Sequence, residues 1–125
     1  MLSNEQYADC ALPSFEKVGR MFGGSALHSC GNWSNKLPLL AGIDGLKVVD
    51  AAFSPETDPD PNSASPFAQA LENTGIVLNA RIVGNTETID QIVDQLWRPC
   101  MKLIVTTYCQ TPEEQEKAYN LIHKL

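Results

Sequence analysis

No apolar run in this chain approaches the roughly 20 residues that cross a bilayer. Basic residues are also scarce, with 9 Lys and Arg against 15 Asp and Glu. The first absence argues against a membrane span. The second gives a net charge of −6 and argues against a nucleic-acid surface, which needs clustered cations. The opening stretch MLSNEQYADC is polar and acidic, so it does not read as a secretory leader, and a cytoplasmic location is expected. Thiols stay reduced in that compartment. Cys10, Cys30, Cys100 and Cys109 then read as metal ligands or packing residues rather than a disulfide framework. The glycines of FGGSAL lack the spacing of a dinucleotide fingerprint. With only two histidines in the chain, no Ser–His–Asp order suggests itself.

What is present is ordinary globular material. The 125 residues are 43% hydrophobic and 19% charged, enough for one domain over 1–125 with a real core. Four short apolar runs recur at 25–30, 45–53, 75–83 and 101–108. Their length and aliphatic content predict buried strands. Helical patterns separate them. SNEQYADCALPSFEKVGRMF precedes the first strand, with Pro13 breaking or kinking it, and NKLPLLAGI reads as a short helix or turn. SPFAQALENTG has Ser65 as the expected N-cap, Pro66 at the first helical position and Gly75 past the end. TETIDQIVDQLW sets Ile89, Ile92, Val93 and Leu96 on one face. TPEEQEKAYNLIHKL opens with a capping box, Thr111 with Glu114, and buries Ala118, Leu121, Ile122 and Leu125. Strands separated by helices pair in parallel. The expected fold class is therefore α/β, with four βα units after an N-terminal helix. Such units make either an open four-stranded sheet or half of an eight-stranded barrel.

In parallel α/β folds, chemistry gathers at the carboxyl ends of the strands. SALHSCGNWS places His28 and Cys30 at such an end, on one side and about 7 Å apart. VTTYCQT places Cys109 at the equivalent end of the last strand. One imidazole and two thiolates make a three-ligand zinc site with a position left open, and their softness disfavours Mg²⁺ and Ca²⁺. Plain packing is the competing reading for each cysteine. Cys10 and Cys100 read as packing residues, and His123 as a contact with the dipole of the last helix. Asn32 reads as a helix cap or site residue, Trp33 as cover, and Asp50 as a fourth ligand, a base or a cap. Asn79 and Arg81 share a face that suits an anionic substrate, or a surface ion pair. Asp58 and Asp60 read as solvated turn formers.

LHSCGNWSNKLPLLAGIDGLKVVD resembles the central motif of the uroporphyrinogen decarboxylase superfamily, and within it the cobalamin-dependent methyltransferase branch. That branch has a strand ending in H-x-C-G-[ND], a short L-P-x-L helix and a G-[IV]-D-G-L step. CALPSFEKVGRMFGGSAL upstream and VTTYCQTPEEQEKAYNLI downstream are similar as well, so the resemblance covers essentially the whole chain. It implies the C-terminal half of a TIM (β/α)8 barrel in which His28, Cys30 and Cys109 bind Zn²⁺. The implied activity is methylation of a thiol, with a methylcorrinoid on a partner protein as donor; Asn32, Asp50, Asn79 and Arg81, taken from their strand-end positions rather than from the resemblance, are the expected substrate-facing residues. Tyr108 stands where a Gly often precedes the last Cys of the family. The first four barrel strands have no counterpart. A homodimer or a complementing N-terminal half is therefore expected as partner, since lone strand edges invite pairing. Two alternatives stay open. One is a non-catalytic half-barrel acting as a self-associating module. The other is a metal-free decarboxylase-like protein, which would lack the Asp and Arg residues of the N-terminal half.

Overall fold

The computed structural model describes residues 2–124. The chain starts with α1 (Asn4–Gln6), closed by a capping box in which Ser3 and Gln6 exchange side-chain and backbone hydrogen bonds. A single π-helical turn, Tyr7–Ala11, leads into α2 (Leu12–Phe22). The π turn is how the chain accommodates Pro13. A proline ring clashes with the carbonyl four residues back and offers no N–H to it, and the wider turn relieves both problems. The four strands are β1 (Ser25–His28), β2 (Leu46–Ala52), β3 (Val77–Arg81) and β4 (Lys102–Thr106). They form one parallel sheet in the order β1-β2-β3-β4, so the alternating α/β class is as expected. The connecting helices are α3 (Leu37–Leu40), α4 (Ala64–Leu71) and α5 (Thr86–Leu96), and α6 (Pro112–Ile122) follows β4.

One sheet face carries the core. Leu27, Val49, Ala51, Leu78, Ala80 and Ile82 are buried against Leu40, Phe67, Leu71, Ile89, Val93 and Leu96 of the helices. At its centre Phe67 meets Trp33 and Phe53 edge-on, with ring centroids 4.7 and 5.0 Å apart. The alternate residues lie on the other face, where Ala26, His28 and Ile104 are exposed and Val48, Asp50, Val77, Asn79 and Arg81 are half-buried. A parallel sheet covered on one side only follows from the strand order. Right-handed crossovers that always step to the next strand put every helix on the same side.

Local expectations fared unevenly. Ile89, Val93 and Leu96 are buried and Ile92 is half-buried, as their spacing predicts. Leu125 lies outside the described residues. The cap of α4 is Ser63 rather than Ser65, and Pro66 is its third residue. The whole first turn has unbonded N–H groups, so proline fits there as well as at the first position. Thr111 caps α6, but the Glu114 carboxylate accepts from Gln110 N–H instead of closing the box on Thr111. Cys10 and Cys100 are exposed, so neither is a packing residue. Gly45, at φ +81°, lies against Gly19 of α2; a Cβ on either would come within 3.1 Å of backbone across the contact.

Candidate functional site

The sheet brings one polar side chain after another into line across its open face. Asp50 of β2 is central. Its Oδ1 accepts from His28 Nδ1 of β1 and from Arg81 Nε of β3, each at 2.8 Å. Its Oδ2 accepts from Asn79 Nδ2 at 2.6 Å, and Asn79 Oδ1 accepts from Thr106 Oγ1 of β4 at 2.8 Å. The register explains the row, because His28 pairs with Asp50 and Asp50 with Asn79. Burial would push the Asp50 carboxyl up. The hydrogen bonds from His28 and Asn79 and the Arg81 guanidinium outweigh burial and hold it below the usual carboxylate range. Arg81 Nη2 is buried without a partner.

The acceptor on Nδ1 fixes the histidine. A carboxylate there keeps a proton on Nδ1, which leaves Nε2 of the neutral ring free as acceptor or ligand. Nε2 lies 3.7 Å from Cys30 Sγ. Zinc bond lengths of about 2.0–2.1 Å to nitrogen and 2.3 Å to sulfur, at a tetrahedral angle, separate two ligands by roughly 3.6 Å. The pair therefore fits two neighbouring positions on one ion, with Asp50 as the outer carboxylate that commonly orients a ligating histidine. Cys30 reaches the ring from beyond the strand, since β1 ends at His28 and the chain turns at Gly31, φ +73°. Asp58 holds that turn by accepting from Gly31 N–H at 2.8 Å, and this bond and a second from Asp60 N–H keep its carboxyl below the ordinary range. Asn62, buried, accepts from Trp33 N–H and donates to the carbonyls of Gly31 and Ala52.

Of the three expected metal ligands, the structure brings His28 and Cys30 together and leaves Cys109 apart. Cys109 follows β4, three strand spacings or about 14 Å across the sheet from β1. It packs on the helix-side core and lines a groove with residues of α5 and α6. Among the described residues no group of three or more His, Cys, Asp and Glu is arranged to hold a metal ion. Of the expected substrate residues, Asp50, Asn79 and Arg81 meet in the row. Asn32 instead forms a local turn, accepting from Ser34 N–H and Ser34 Oγ. His123 Nδ1 bonds the Tyr119 carbonyl at the end of α6, away from the row. Thr106, Asp58 and Asn62 were not anticipated in these roles. Alternation along β4 puts Thr106 on the face of Asn79, which is a usable signal. Nothing in the Pro- and Asp-rich segment marks Asn62.

No family model matches the sequence, and neither a curated protein nor a solved structure matches the chain. No helix among the described residues is long and apolar enough to cross a membrane.

Proposed function

We propose that the chain is the C-terminal half of a uroporphyrinogen decarboxylase-like (β/α)8 barrel whose His28–Cys30 pair belongs to a zinc centre for corrinoid-linked methylation of a thiol. The observation that carries the reading is the 3.7 Å approach of Cys30 Sγ to His28 Nε2, with Asp50 on the opposite ring nitrogen. Zinc bound there would hold an incoming thiol as thiolate near neutral pH. His28 and Cys30 would be its ligands, and Asp50 would keep the imidazole turned toward it. Arg81, with Nη2 unpartnered, would donate to an anionic group of the substrate. Free cysteines at 10, 30 and 100, all exposed, suit a reducing cytoplasm. A methylated corrinoid protein would be the donor.

Metal analysis tests the site. We expect about one zinc per chain after purification with zinc supplied, and its loss in His28→Ala and in Cys30→Ala. Zinc content unchanged in both variants would overturn the reading. Methylcobalamin and a small thiol, followed for thioether formation, test the activity. The bare sheet face favours a second reading, a self-associating half-barrel without catalysis, which predicts folded oligomers that bind no zinc and methylate no thiol.

A further inference from the structure

We propose that Asn62 is the residue that positions Cys30 against His28, with Asp58 as a second tie. The inference deepens the proposed site: it rests on the His28–Cys30 pair and not on the metal.

Cys30 is exposed, so packing does little to hold its side chain. The place of its thiol, 3.7 Å from His28 Nε2, must come from the backbone that carries it. That backbone has already left the sheet. β1 ends at His28, Gly31 turns in the left-handed region, and the Asn32 side chain bonds within its own turn. Gly31 has no side chain to anchor it and many conformations to lose. The turn therefore needs ties from elsewhere in the fold.

Two side chains of the segment between β2 and α4 supply them. Asp58 accepts from Gly31 N–H at 2.8 Å. Asn62 Nδ2 donates to the Gly31 carbonyl at 3.1 Å, and Asn62 Oδ1 accepts from Trp33 N–H at 2.9 Å. Asn62 is itself fixed to the end of β2. The Ala52 carbonyl accepts both its backbone N–H, at 2.9 Å, and its Nδ2, at 3.1 Å. Asn62 is only 4% exposed, so water competes little for these bonds. The task needs an amide, because one end must accept and the other donate, and a carboxylate has no donor. The Trp33 ring, packed on Phe67, anchors the far end of the turn but not Gly31.

Both members of the pair are thus ranged from one strand. Asp50 of β2 holds the imidazole by Nδ1, and Ala52, two residues further along β2, holds the turn of the thiol through Asn62. Sheet register sets the first distance and the segment 53–63 sets the second. Releasing Asn62 moves Cys30 while His28 stays on Asp50.

NMR on the isotope-labelled full chain reads the pair without metal. The wild type should show Overhauser contacts between the Cys30 β-protons and the ring protons that flank His28 Nε2. Asn62→Asp, which keeps the size and loses the donor, should lose them, and so should Asp58→Ala. Asp58→Asn retains an oxygen for Gly31 N–H and should keep them. Ser54→Ala is the control for stability alone. Ser54 is fully buried in the same segment, and its Oγ accepts from Val83 N–H, away from the turn. That variant should be less stable with the contacts intact. Cobalt(II) titration, followed by thiolate-to-cobalt absorption, should weaken at least about tenfold in Asn62→Asp and Asp58→Ala and hold in the other two. Contacts that persist in Asn62→Asp and Asp58→Ala overturn the proposal. So does their absence from the wild type, their equal loss in Ser54→Ala or Asp58→Asn, or an unchanged cobalt affinity where they are lost. A wild type with the expected contacts that takes up neither cobalt nor zinc sinks the metal reading and leaves the positioning role standing.

Discussion

Asp50 answers to three donors at once, and its two oxygens cannot all be replaced by a neutral side chain. Asp50→Asn keeps the shape but leaves the Arg81 guanidinium half-buried without its carboxylate and weakens the hold on His28. Orphaning such donors costs about 1–3 kcal/mol, measurable as a lower urea midpoint at pH 7. The pH dependence has a definite sign. The folded carboxyl titrates below its unfolded value, so its contribution is present in full above about pH 4 and is lost as pH falls through the lower folded value. The stability gap between wild type and Asp50→Asn should narrow below pH 4; a constant gap would mean that Asp50 is not held by these partners. Loss of an outer-shell carboxylate typically weakens metal affinity about 10–100-fold, and zinc titration of the same variant checks its place behind His28. The pairing of His28 with Cys30 was readable in the sequence as an i, i+2 pattern. Asp50 was readable as a strand-end carboxylate of the same site, but its bond to His28 was not, because Asp50 lies 22 residues on and is delivered by register, which no local pattern encodes.

At the scale of elements, α4 is where packing decides most. Phe67 has no exposed surface and sits between Trp33 and Phe53, tying α4 to β2 and to the turn beyond Cys30. Phe67→Ala should cost about 3–5 kcal/mol by chemical denaturation and should loosen the His28–Cys30 turn with it. A loss under about 1 kcal/mol would show that the aromatic trio does not anchor that turn. The type of each long element was legible from apolar spacing. The ends were less so. Ser63 and Ser65 are both acceptable caps by composition, and the choice fell to the helix that buries Ala64, Phe67, Ala68 and Leu71 together. The π turn before Pro13 had no local signature beyond the proline itself, which is equally compatible with a break, a kink or a widened turn. The cysteines at 10 and 100 look like core residues by type, and only their placement in the fold shows them exposed.

For the whole molecule, the alternation of strand and helix was enough to define a parallel sheet, but not how its two faces are used. The runs looked apolar on both faces, as in a sheet covered twice over. Four strands with all helices on one side leave half of that apolar pattern facing out. The strand order has a further effect on how the chain comes together. Each strand lies next to the one made just before it, with register partners such as Ser25 and Leu46, 21 residues apart, or Val77 and Lys102, 25 apart. None of the three pairings among these strands waits for a distant segment, and each loop between them is short. A polypeptide emerging N-terminus first can thus lay down these four strands one after another during synthesis.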